Sequence, residues 1–187
     1  MGLDITAYRN LTKLDVVFDA DGEPVDPQTR ESLDYDSYDL RCYFNPDYAS
    51  RAEGLEDKAV YKAEDSIGFR AGSYGGYNAW REELARLAGY PAVQVDRYNT
   101  GSIQLRHDYG AWAATEGPFW ELIHFSDCEG VIGPVVAAKL AKEFAEWDER
   151  AKAHSNTVDR GDWFYPLYQE WRQAFEMAAQ NGAVDFH

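Results

Sequence analysis

Between Pro134 and Ala153, apolar side chains recur at Val136, Leu140, Phe144, Trp147 and Ala151, the period of one helical face. Gly133-Pro134 supplies a first-turn proline, where the missing N–H has no intrahelical partner to lose. Lys139–Glu143, Lys142–Glu146 and Glu146–Arg150 set opposite charges one turn apart on the other face. A helix from Pro134 to Ala153 with one apolar stripe is not stable alone in water. It requires a second layer to cover that stripe.

The first half of the chain supplies strands for that layer. Leu3, Ile5 and Ala7 alternate with Asp4, Thr6 and Tyr8, the pattern of a half-buried strand. Leu14 to Phe18 is a second strand, turned back at Asp19-Ala20-Asp21-Gly22 into a short arm over Glu23 to Val25. Asp19-x-Asp21-Gly22 invites a calcium reading, but Val17 and Gln28 stand where an EF-hand loop needs oxygen ligands, so no metal is assigned. Leu40 to Phe44, with Cys42 inside, Lys58 to Ala63 and Ile67 to Phe69 read as further strands. Val93 to Asp96 and Ser102 to His107 read as a hairpin in which Ile103 and Leu105 alternate with polar residues.

Helices fill the rest. Asn78 is a candidate N-cap after the Gly-rich link 71–78, with Trp80, Leu84 and Leu87 on one face. Phe119 to Phe125 fits either a short buried strand or, with Pro118 in a first turn, a short helix, and the helix is preferred. Asp162 can cap a last helix to about Gln180, with Leu167, Trp171, Phe175 and Ala178 inward and Asn181-Gly182 closing it. The fold class expected is α+β in a single domain over 1–187. A small antiparallel sheet mainly from the N-terminal half packs with three or four helices mainly from the C-terminal half.

The densest cluster of reactive side chains precedes the main helix: His124, Ser126, Asp127, Cys128 and Glu129. They form a candidate binding loop, with no catalytic residue assigned. As a metal site they supply too few ligands for a closed cage and no helical His spacing. As a cysteine enzyme, Cys128 before a helix N-terminus gains thiolate character that its acidic neighbours oppose. As a pocket, Ser126, Asp127 and Glu129 could grip a polar ligand. The structural account is preferred: Ser126-x-x-Glu129 is a capping box, and Gly130 and Pro134 pass the chain to the next helix.

Acidic residues number 33 against 18 basic, a net charge of -15. That balance repels phosphate backbones, and no basic stripe offsets it, so direct nucleic-acid binding is not expected. A basic protein partner fits instead, including one whose usual ligand is nucleic acid. The candidate contact surface is the acidic-aromatic run containing Tyr35, Asp36, Tyr38 and Asp39. Cys42 and Cys128 form neither a zinc nor a disulfide pattern, so no cofactor is implied and a reducing cytoplasm is expected. No secretory signal or membrane span is read, and oligomeric state stays open, with a self-associating structural component as one alternative.

FSDCEGVIGP, with the opening MGLDI and the link GSYGGYN, resembles an uncharacterised family of proteins encoded in bacteriophage and bacterial genomes. The resemblance implies a cytoplasmic accessory protein of a mobile element. It carries no established activity and no catalytic residues. Two functions therefore stand as expectations. The first is a phage-type accessory binding protein, engaging or inhibiting a basic host protein in an anti-defence setting. The second is an enzyme or small-ligand binder built on the 124–129 loop.

Overall fold

The computed structural model describes residues 2–96, 99–126, 130–159 and 163–187, with the side chain of Tyr35 excepted. In chain order the strands of the first part are β1 (Leu3–Arg9), β2 (Thr12–Lys13), β3 (Val17–Phe18), β4 (Pro24–Val25), β5 (Leu40–Arg41), β6 (Val60–Lys62) and β7 (Asp65–Gly72). Short 3-10 segments at Tyr35–Ser37 and Pro46–Ala52 fall between them. Then follow α1 (Tyr74–Ala88), β8 (Val93–Val95), β9 (Gln104–Arg106), α2 (Asp108–Trp112), α3 (Trp120–Ile123) and β10 (Val131–Ile132). The chain continues through α4 (Pro134–Glu146), α5 (Asp148–Ser155), α6 (Phe164–Ala178) and β11 (Ala183–Phe186). Strands gather early and helices late, the α+β arrangement expected. No described helix is long and apolar enough to cross a membrane.

The main sheet has the order β10-β11-β1-β7, antiparallel throughout. Leu3, Ile5 and Ala7 of β1 are buried as their alternation requires, while Asp4 and Thr6 are not. Helix α6 lies against this sheet, and Trp171 stands at the centre of the contact. Its ring lies 5.6 Å from Trp80 and from Tyr77, and 5.1 Å from Phe69. On its other sides Phe186 is 5.5 Å away and Phe175 is 5.8 Å away. An aromatic core of this kind, buried except at the half-buried Phe69, draws on both area and ring–ring geometry. A second apolar cluster, including Leu11, Leu40, Cys42 and Tyr61, lies under the small sheet β2-β6-β5. The β3–β4 hairpin stands apart, with Val17 opposite Val25 and Gly22 at φ +81 in its turn.

Several expectations are corrected. The predicted 134–153 helix is two, because Trp147 takes φ -97 and ψ 2 and ends the first; Ala151 stays buried all the same. The N-cap of α1 is Ser73 rather than Asn78. Ser73 Oγ accepts the Gly76 N–H at 3.0 Å, so the Gly-rich link is already the helix's first turn. The Leu14 to Phe18 strand is interrupted, since β2 ends at Lys13 and β3 begins at Val17. Helix α3 excludes Phe119, which sits at φ +56 and donates its N–H to Glu143 Oε2 at 2.8 Å. Burial raises the Glu143 carboxyl above its usual range, and that N–H and Lys139 pull it back. Phe164 and Tyr168 are fully buried on α6, whereas Leu167 is half-buried. The Asp162 cap lies outside the described residues. Strand β11, unanticipated, completes the main sheet from the C-terminal end.

Candidate functional site

Segment 119–126 is held from two sides by buried cations. A short helix such as α3 leaves its last carbonyls unpaired, and positive groups are favoured at that end. Arg81 of α1, 2% exposed, donates from Nη1 to the Ile123 carbonyl at 2.8 Å and to the Phe125 carbonyl at 3.4 Å. Its Nη2 reaches Asn78 Oδ1 and lies 3.5 Å from Ser126 Oγ, and the guanidinium stands 4.9 Å over the Tyr77 ring. Arg51, 5% exposed, donates Nε to the Glu121 carbonyl at 3.1 Å and lies 4.4 Å over Trp120. Tyr77 adds its hydroxyl to the Phe125 carbonyl at 3.1 Å.

Of the predicted loop residues that are described, His124 is seated among rings. It stacks on Trp120 at 5.3 Å and meets Trp112 and Tyr48 at 6.2 and 5.9 Å. Burial, then the positive charges of Arg51 and Arg81, hold its pKa below the usual histidine value. The neutral ring keeps Nδ1 buried, with no hydrogen-bond partner among the described residues. Arg81 Nε is buried and unpartnered in the same sense. Ser126 reaches this cluster through Arg81. Asp127, Cys128 and Glu129 lie outside the described residues, and with them the Ser126–Glu129 capping box. Among the described residues no group of three His, Cys, Asp or Glu side chains could hold a metal ion.

Sequence reasoning missed both arginines, since charge in a helix or loop is read as solvent-facing. One signal was present for Arg81. It falls between Tyr77, Trp80 and Leu84, within the apolar stripe of its helix.

The acidic-aromatic run divides on inspection. Asp36 is exposed, with no side-chain hydrogen bond or ion pair among the described residues, and Tyr38 is half-buried. Asp39 is committed to the sheet: it accepts the Ala63 N–H at 2.8 Å and pairs with Lys62 at 3.3 Å. Tyr35 belongs to the 3-10 segment Tyr35–Ser37. The segment around this run adds further carboxylates to it. Residues 15–41 carry nine acidic residues and two basic ones. Asp19 and Asp26 fold onto the N–H groups of their own turns, which draws the Asp26 carboxyl below its usual value. Asp15, Asp21, Glu31 and Asp34 are exposed like Asp36 and, among the described residues, make no side-chain hydrogen bond or ion pair.

A polar cleft of about 390 Å³ includes Glu82, Glu83, Arg86, His107 and Asp159 in its walls. Its inner carboxylates are occupied. Glu83 bonds His154 Nε2 at 2.9 Å and Arg86 Nη2 at 2.6 Å. Burial pushes the Glu83 carboxyl up, but those two partners hold it below its ordinary value. Glu82 accepts the N–H groups of His107 and Asp108 and pairs with Arg106 at 3.3 Å. These are the bonds of a structural joint between α1, α2 and α5. No family model, curated protein or solved structure matches the chain.

Proposed function

We propose that the chain is a binding protein without catalytic activity, whose acidic and aromatic surface engages or inhibits a basic protein. The observation that carries this reading is the surface of residues 15–41, where Asp15, Asp21, Glu31, Asp34 and Asp36 are exposed and uncommitted among the described residues. Carboxylates without internal partners lose none when a cationic surface arrives, and they steer its approach. A protein whose normal ligand is nucleic acid presents such a surface. Together with the resemblance to phage- and bacterium-encoded proteins, this makes a cytoplasmic, anti-defence accessory role the setting we assign.

The test is affinity capture from a bacterial lysate at low and high salt, with the wild-type chain and with Asp15→Asn, Asp21→Asn, Glu31→Gln, Asp34→Asn and Asp36→Asn combined. A basic protein retained by the wild type, released by salt and not retained by the variant is the expected result. Retention that ignores both salt and the substitutions, or no retained protein, overturns the proposal.

The alternative, an enzyme or small-ligand binder at the 124–129 loop, is favoured by one observation: Arg81 Nε and His124 Nδ1 are buried and without partners among the described residues. It calls for an anionic or hydrogen-bond-accepting ligand. A thermal shift with phosphate or small carboxylates supports it, and no shift across such a set counts against it.

A further inference from the structure

We propose that the β8–β9 ribbon is a self-association surface, where two copies of this chain pair weakly and symmetrically. Leu105 and Ile103 are the most exposed large hydrophobic residues of the described chain, at 66% and 64%. The ladder sets Gln94 opposite Leu105, so these side chains share the outer face, while Val93 and Val95 turn to the other face and are half-buried. The ribbon is a sheet of its own. Among the described residues, no backbone hydrogen bond joins Gln104–Arg106 to anything but β8. Edge strands of monomers are commonly blunted by a bulge, a proline or a charge. The register here runs unshifted, and residues 102–105 (Ser-Ile-Gln-Leu) include neither proline nor charge. The strand's one charge, Arg106, is half-buried and paired with Glu82 and Asp108.

Charge decides what covers this face. Residues 91–107 hold one of the chain's 33 acidic residues, Asp96, whose carboxylate is turned onto the N–H groups of Thr100 and Gly101 at 2.9 and 2.7 Å. Two chains of charge -15 repel each other over their acidic surfaces, whereas the ribbon itself presents no free carboxylate. In the cleft that Leu105 borders, Glu82 and Glu83 are neutralised by Arg106, Arg86 and His154, and Asp159 is the one exposed carboxylate among the described lining residues. A basic partner gains nothing at this face and has residues 15–41 to attract it. A second copy brings the same free edge. Antiparallel pairing of two β9 strands about Gln104 sets Ile103 opposite the partner's Leu105 and Leu105 opposite the partner's Ile103, all on one face. Four aliphatic side chains cover far less than the ~1,000 Å² of a durable interface, so the association is weak. Salt screens the self-repulsion and strengthens it. Salt weakens binding by the acidic surface, so the two proposals fail separately.

Sedimentation velocity on the full chain, from micromolar to near-millimolar concentration at low and high salt, tests it. The mass is expected to rise from 21.3 kDa toward twice that value, further at high salt. Ile103→Ser with Leu105→Ser should remain monomeric under every condition. Val135→Ser, at another exposed aliphatic side chain (49%), should associate like the wild type. A wild type that stays monomeric, a double variant that still associates, or a Val135→Ser chain that loses the dimer equally would each overturn the proposal.

Discussion

Replacing Arg81 with Met keeps an unbranched stem in the core and deletes the guanidinium that holds segment 119–126. The bond to the Ile123 carbonyl at 2.8 Å and the bond to Asn78 are the strong ones; those to Phe125 and Ser126, at 3.4 and 3.5 Å, are weak. Hydrogen bonds to a charged group contribute about 1.5–3 kcal/mol each. The carbonyls are not wholly abandoned, since Trp112 Nε1 lies 3.4 Å from Ile123 O and Tyr77 still donates to Phe125 O. Removing a buried charge also returns part of its desolvation cost. The net loss expected is about 3 kcal/mol, a fall in Tm of roughly 6–12 °C for a chain of this size. Arg81→Lys should lose a similar amount, because a single ammonium cannot span the same acceptors. In both, calorimetry reads the stability. In Arg81→Met alone, NMR titration should show the His124 pKa rising, because one of the charges depressing it is gone. A loss below about 0.5 kcal/mol, within the range of ordinary surface substitutions, would refute the claim that Arg81 organises this segment.

Two further outcomes follow from geometry and from linkage. A Cβ at Gly182 would lie 1.8 Å from the Tyr8 carbonyl oxygen and 3.0 Å from Ala178 Cα, both backbone atoms. Gly182→Ala should therefore cost at least the upper part of the ~1–3 kcal/mol range for overpacking, measured by urea unfolding; a neutral result would contradict the close approach of β1 and α6. His124 has a folded pKa below its unfolded value, so the unfolded chain binds the proton more readily. Its contribution is fully present above about pH 6.5 and is lost as pH falls from there through its depressed folded pKa. His124→Phe should flatten the stability profile below about pH 6.5, and an unchanged slope there would place the titration elsewhere.

Legibility differed by element, for physical reasons. The apolar stripe of 134–153 identified the inward residues correctly through Ala151, because a one-residue break at Trp147 scarcely disturbs which side chains face inward. The break itself left no mark, since Trp is compatible with a helix interior. Gly75 and Gly76 argued against a helix start by intrinsic propensity, yet their N–H groups lie in a first turn capped by Ser73. Strand β11 was hidden by brevity: Ala183–Phe186 is too short for alternation to register, and its pairing comes from β1, more than 170 residues away. The hairpin alternation at Ile103 and Leu105 was read correctly as a strand period, but a two-stranded ribbon offers no core for its outer face. Of the candidate site, His124 and Ser126 could be named in advance. Among the buried cations that set their environment, Arg81 left one sign, its place within the apolar stripe of α1, while Arg51 of the segment Pro46–Ala52 left none.

The place of β11 between β10 and β1 has a consequence for how the chain is made. During synthesis β1 emerges before β7 and can take it on one side once residue 72 is made. Its other side waits for residues 183–186, made more than 170 residues after β1. Until then the centre of the main sheet is an open edge, and β10 has no neighbour to join. A stop codon at residue 183 would remove β11 itself. It would divide the sheet down its middle, leaving a nascent-like chain for proteases and chaperones to find.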